Sequence, residues 1–289
     1  MTDKRISLLL WLLPLVAYSS DAQAWGLTTH VYFSQLLLWA IPLLDPRLKS
    51  AARKFPGLVL AGACLPDLML TGKLAGTSAF SSSHHWETAS RLIQNAVSDE
   101  EAAIALGYSS HLIVDIIAHN HFVPAHETIW INLPVATHAA SEWAMDVHVE
   151  RQVFQMPSSL LKEHHVQLTG YLTHHFPCGK TKAEKALVYL ANATRLLEIS
   201  TLPWMCYRTG RALDRKLENR FDTYLAETGT RLQQITRLLA GEQPAWHADV
   251  PCARSSRLNI QRYPMTQLNH VVPLPADLFE AAEYLSEHQ

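Results

Sequence analysis

Strand alternation is scarce in this chain, which excludes a β-sandwich or a barrel and leaves helices to build the fold. There is no CxxC pair. The four cysteines, Cys64, Cys178, Cys206 and Cys252, are too widely spaced for a zinc ribbon. At 289 residues the chain is also too long for a disulfide-dense scaffold, although export would permit one or two disulfides. No basic tract occurs. The 24 Lys and Arg are balanced by 26 Asp and Glu, for a net charge of −2, which argues against nucleic acid as the main partner. Linkers, internal repeats and low-complexity tracts are absent as well, so one large core is expected.

What is present begins with a targeting segment. Lys4 and Arg5 precede an apolar run from Ile6 to Ala17, and Ala22-Gln23-Ala24 has the small-x-small form of a cleavage site. Residues 1–24 therefore read as a cleavable secretory signal peptide, with residues 25–289 as the exported domain in the periplasm or outside the cell. The apolar run is too short for a membrane span, and no second run of membrane length is read after it. Cleavage after Ala24 would make Trp25 the first residue. A new α-amino group beside a carbonyl can chelate a metal, and His30 is close enough in sequence to join it. Taken alone, Trp25 is simply where the domain starts.

Sixteen histidines are present, and the most informative lie in His111-Leu-Ile-Val-Asp115-Ile-Ile-Ala-His119-Asn-His121. His111, Asp115 and His119 are spaced i, i+4, i+8, which places them on one face of an α-helix. The intervening residues are apolar, so the helix is a core helix and its polar face needs a partner. A metal bound by imidazole and carboxylate is such a partner. The remaining pattern predicts an all-α domain. Helices are expected over Ser34 to Ile41, Glu87 to Val97, from an Asp99 cap toward the metal face, and from about His138 to Phe154. Further helices are expected from Pro157 toward His174, from a Thr181/Glu184 capping box to about Ile199, and as one long amphipathic helix from Arg211 to Leu239. The segment Pro244 to Pro275 reads as irregular, with a last short helix over Ala276 to Ser286.

Other candidate ligands stand apart from this run. Gly62-Ala-Cys-Leu-Pro66-Asp67 is a turn that ends in a carboxylate, able to ligate a metal, take a proton from water, or cap a helix. His84-His85-Trp86 follows the Ser81-Ser-Ser83 loop. A tandem pair points two ways, so one of the two is the ligand; Trp86 can wall a site beside His85, which is taken first, with His84 as the alternative. His138 and Glu142 share a helical face at i, i+4 and can either grip a metal or pair with each other. His164-His165 and His174-His175 read as solvated helix ends.

In this order the motifs resemble the secreted zinc-dependent phospholipases C, of the superfamily that also holds the single-strand-specific zinc nucleases and the catalytic domain of glycosylphosphatidylinositol phospholipase D. The resemblance rests on Trp25-Gly with His30, Gly62 to Asp67, His85-Trp86, Ser110 to His119, and His138 with Glu142. It covers residues 25–142. It implies a single multi-helix domain enclosing a trinuclear zinc site, and three zinc ions as cofactors. The Trp25 amine and carbonyl with His30 would hold one ion. His85 and His111, with Asp67 beside them, would hold a second, and His119, His138 and Glu142 a third. Asp115 would bridge the first two, and Asp67 would serve as the base or water-orienting carboxylate. The second histidine of the helix motif lies eight residues after the first in one branch and ten in another, which here means His119 or His121. His119 keeps the register of His111 and Asp115 and is preferred.

The resemblance implies a phospholipase C acting on phospholipid at a membrane surface, with no stable protein partner. A single-strand nuclease is the alternative, but the Gly-Gly-Asn run that the nucleases carry before their last His motif is missing. The segment Ile129-Trp130-Ile131-Asn-Leu133 supplies an apolar patch near the ligands. Exposed, it would enter a lipid interface; buried, it is loop core.

Overall fold

The computed structural model describes residues 26–40, 45–130, 134–248 and 275–280. Among them every regular element is helical and they form a single helical domain, as expected. The expectations for residues 1–24, Trp25, Ile131 to Leu133, Cys252 and the end of the chain fall outside the described residues.

In chain order the helices are α1 Leu27–Ala40, α2 Pro46–Lys54, α3 Pro56–Gly62, α4 Leu68–Leu74, α5 Trp86–Gln94 and α6 Asp99–Ile117. A π-helical turn, Ala118–Phe122, joins α6 to α7 Val123–Ile129, and α8 Pro134–Val149 follows. Then come α9 Pro157–Glu163, α10 His165–His175, α11 Lys180–Ile199, α12 Leu202–Leu213, α13 Leu217–Leu232 and α14 Ile235–Leu239.

Helix α6 is the axis of the molecule. Its start is capped by Ser98, whose Oγ accepts the Glu101 N–H at 3.1 Å. Asp99, expected as the cap, instead occupies the first turn with Glu100 and Glu101, where three carboxylates meet the positive end of the helix. From Ala102 to Glu127 every residue is buried. The span Asp99–Glu127 is long and apolar enough to cross a membrane, a run the sequence reading did not find, yet here it is enclosed by α1, α2, α3, α5 and α13. Such an enclosure requires close approach, and glycine provides it where α3 crosses α6. A Cβ on Gly107 would lie 1.9 Å from the Val59 carbonyl oxygen, and one on Gly62 would lie 2.4 Å from that of Ile104. Backbone cannot swing aside as a side chain can. Gly107→Ala is therefore expected to destabilise the fold by roughly 3 kcal/mol or more, read as a lowered thermal midpoint. An unchanged midpoint would show that the helices part freely.

Several helix boundaries depart from expectation. The stretch Arg211 to Leu239 is broken at Asp214, whose carboxylate accepts Lys216 N–H and Arg220 Nε–H, both at 2.9 Å. An Asp that bonds to nearby backbone competes with the helical ladder. The stretch from Pro157 breaks at His164, and α11 starts behind Gly179 without a side-chain cap, so the Thr181/Glu184 box does not form. Residues 276–280 are not helical. Cys64, Cys178 and Cys206 are free thiols, so none of these three is disulfide-bonded. Trp130 is half-buried; its ring lies where a Cβ on Gly210 of α12 would be, 2.7 Å from Cζ2, so it packs inward.

Candidate metal centre

Four segments bring five residues to one enclosed point. Helix α1 brings His30, the turn before α4 brings Asp67, the loop before α5 brings His84, and α6 brings His111 and Asp115. All five are buried. Asp115 is the hub: its Oδ1 lies 3.3 Å from His30 Nε2, and its Oδ2 lies 2.9 Å from His111 Nε2 and 3.5 Å from His84 Nε2. Asp67 Oδ1 is 3.7 Å from both His84 Nε2 and His111 Nε2. The rings of His30 and His111 stack at 3.6 Å between centroids. Two overlapping donor sets result, His30/His111/Asp115 and Asp67/His84/His111.

The tautomers follow from what lies behind the rings. His111 Nδ1 is 2.7 Å from the Ala63 carbonyl, so Nδ1–H donates there and the Nε2 lone pair faces inward. Ser83 Oγ donates to the Pro66 carbonyl at 2.6 Å, which leaves its oxygen to accept from His84 Nδ1–H at 3.3 Å. The His84 and His111 Nε2 atoms therefore face each other at 3.2 Å. Two lone pairs at that distance need a proton or a cation between them.

Of the tandem pair, the structure brings His84 and not the first-taken His85 to the other donors. His85 is solvent-exposed at the N-cap of α5, in extended backbone, while His84 is buried among the donors. Successive side chains of extended backbone leave on opposite sides, so only one of the pair can face inward. Trp86, expected as a wall, is occupied otherwise: its Nε1–H donates to the Trp246 carbonyl at 2.8 Å. Asp67 stands at the N-cap position of α4 but makes no capping hydrogen bond. Its carboxylate is turned toward the histidines instead.

A third group lies on α8 and the π-helical turn. His138 Nε2 is 2.6 Å from Glu142 Oε1, and the His119 and His138 ring centroids are 5.7 Å apart. His119 feels the charges of Asp115, His138, His84 and His111, so it belongs to the same enclosure. His121 turns the other way, with its ring 5.4 Å from Trp246 and the charge of Arg231 beside it. His138 keeps 17% of its side chain exposed, against 1% for Glu142. Among the described donors, His138 on α8 is the one that reaches solvent.

Sequence reading missed Asp146. It continues the face of His138 and Glu142 at the next i+4 step, the same spacing that marked His111, Asp115 and His119. Its Oδ1 accepts Thr29 N–H at 2.8 Å and Thr29 Oγ–H at 2.7 Å. A carboxylate thereby caps α1 and sets the register of His30. A Cβ on Gly26 would stand 2.1 Å from Asp146 Oδ2, so the chain enters α1 through the one residue small enough.

Electrostatics single out the cluster. Burial pushes Asp67 up, and neighbouring imidazolium charge offsets this only in part. Glu142 rises well above the carboxylate range because burial is reinforced by Asp67, Asp115 and Asp146. Asp146 is pushed up to about 6 by burial against its hydrogen bonds from Thr29 and Thr28. Burial also lowers His30 and His119. Asp115 goes the opposite way: burial would raise it, but the close imidazoles of His111, His30 and His84 outweigh that and hold it well below the usual range. His111 mirrors it and is raised, since Asp115 and Asp67 outweigh burial.

The donors fit divalent zinc. Both ring nitrogens of His30, Asp67 Oδ2, both oxygens of Asp115 and His119 Nε2 are buried without a properly directed hydrogen bond among the described residues. Native interiors rarely leave so many polar atoms orphaned in one place. Imidazole and carboxylate are the donors zinc takes, and neutral imidazoles beside ionised carboxylates are the forms it requires.

The family model described as zinc dependent phospholipase C matches residues 29–192, a stretch that includes every donor named above. No curated protein and no solved structure matches the chain.

Proposed function

The chain belongs to the zinc-dependent phospholipase C family, and from this we propose that it hydrolyses the glycerol-side phosphodiester of phospholipids, releasing diacylglycerol and a phosphorylated headgroup. The observation that carries the reading is the convergence of orphaned imidazole and carboxylate atoms on one enclosed point. A closed structural zinc site needs four protein donors, whereas this enclosure offers eight residues in overlapping sets, which suits several ions with open positions.

The proposed assignment is His30 with Asp115, and with Trp25 from outside the described residues; Asp67, His84, His111 and Asp115; and His119, His138 and Glu142. Three ions are expected. Zinc, when bound, supplies Lewis acidity to water and to the phosphodiester oxygens. The protein's own contribution is placement and proton handling. Asp67 orients the attacking water and accepts its proton as the new oxygen–phosphorus bond forms. The bond from phosphorus to the glycerol oxygen breaks, and that oxygen ends as a hydroxyl after taking up a proton. Substrate enters from the α8 side, where His138 meets solvent. The signal-peptide pattern of residues 1–24 supports export, with the reaction at a membrane surface.

Zinc-loaded protein beginning at Trp25 is expected to release diacylglycerol from phosphatidylcholine vesicles, to stop when a chelator removes the metal, and to resume when zinc returns. Single-stranded DNA incubated in parallel is expected to stay intact. Cleavage of DNA without diacylglycerol release would replace this reading with that of a nuclease.

A further inference from the structure

A second donor cluster lies at the far end of α6. Glu101, in its first turn, meets the last two residues of α10, His174 and His175. Glu101 Oε1 is 2.8 Å from His174 Nδ1, and Oε2 is 3.5 Å from His175 Nε2. One donor atom from each residue lies within 4.8 Å of the others. Sequence reading took these histidines for a solvated helix end, but the His175 side chain is only 3% exposed. Its Nε2 is enclosed and has no hydrogen bond among the described residues. The surroundings hold the donors in place. The Tyr171 ring packs against His175 at 4.5 Å, Arg91 donates to the His175 carbonyl at 2.6 Å, and the Val97 N–H holds Glu101 Oε2 at 2.8 Å. His174 stands in the open, half-exposed on a groove that also takes in Thr169, Thr173 and Glu184.

We propose that Glu101, His174 and His175 form a separate site for one divalent transition-metal ion that clasps the end of α10 to the first turn of α6. Two imidazoles and one carboxylate, with remaining positions open to water, suit zinc, nickel or copper rather than calcium or magnesium. Ten helical residues separate Glu101 from His111, about 15 Å at 1.5 Å per residue, so this ion cannot take part in the reaction. The site has three protein donors and an exposed member. It therefore fills after the enclosed cluster and acts on stability, by binding the folded chain and not the unfolded one.

Zinc is the probe for the test, added to protein beginning at Trp25 whose enclosed cluster is already loaded. One extra equivalent is expected to bind and to raise the thermal midpoint. In His174→Gln, an exposed change that leaves the core alone, that equivalent is expected to bind about tenfold or more weakly and the shift to vanish. Diacylglycerol release by the loaded variant is expected to match the wild type. No extra equivalent in the wild type, or equal uptake and equal shift in His174→Gln, would overturn the proposal. Because the readouts are ion count and melting, the result stands whatever the enclosed cluster hydrolyses.

Discussion

Asp115→Asn is expected to lose at least one zinc ion per chain and to lower phospholipid hydrolysis by roughly a thousandfold, the scale on which one preorganised charge acts. The reason is position. One carboxylate lies within 3.5 Å of three imidazole nitrogens, with Oδ1 toward His30 and Oδ2 toward His111 and His84. His111 is common to the two donor sets, and Asp115, a member of the first, also reaches His84 of the second. Asparagine keeps the shape and one oxygen but removes the charge. Cations held close together repel one another, and the Asp115 carboxylate is the charge that reaches imidazoles of both sets most closely to offset that. Zinc per chain and kcat are to be measured together, with circular dichroism as a check on the fold. A full zinc complement with wild-type turnover would show that Asp115 is only the hydrogen-bonding partner of His111.

The second large effect separates two adjacent residues of one type. His84→Gln is expected to lower zinc content and to cost at least about a hundredfold in turnover, as loss of a direct ligand should equal or exceed loss of its support. His85→Gln is expected to stay within about twofold, as substitutions at exposed positions usually do. The contrast follows from burial: His84 Nε2 faces His111 Nε2 at 3.2 Å, while His85 is solvent-exposed. If His85→Gln were the damaging change, the donor set Asp67/His84/His111 would have to be abandoned.

These two expectations also show what the sequence could and could not reveal. The face of His111, Asp115 and His119 was legible because helical geometry fixes direction from spacing alone. The same spacing reaches Asp146, one i+4 step beyond Glu142, whose role is to cap α1. His84 and His85 were not separable, because direction in a loop depends on backbone angles that spacing does not encode. Here Ser83 decides it, held by the Pro66 carbonyl and seated under the His84 ring. The all-α class was legible from periodicity, but the break at Asp214 was not, since it depends on the Asp214 side chain turning back to the Lys216 N–H and Arg220, a local choice that apolar periodicity does not encode. The inward turn of Trp130 onto Gly210 likewise depends on a helix eighty residues away.

The buried axis has a consequence that precedes folding. Asp99–Glu127 is as long and apolar as a membrane span, and the fold buries every residue of it from Ala102 onward. During synthesis it is not yet hidden, and under the proposed export an unfolded chain would present it to the lipid bilayer as a stop signal. Near its middle sits Asp115, flanked by His111 and His119. A carboxylate at the centre of an inserting helix costs about 3 kcal/mol, enough to tip such a segment back out of the membrane. The residues proposed to gather the ions would then also keep the nascent chain moving, before it holds any ion and before it has a fold.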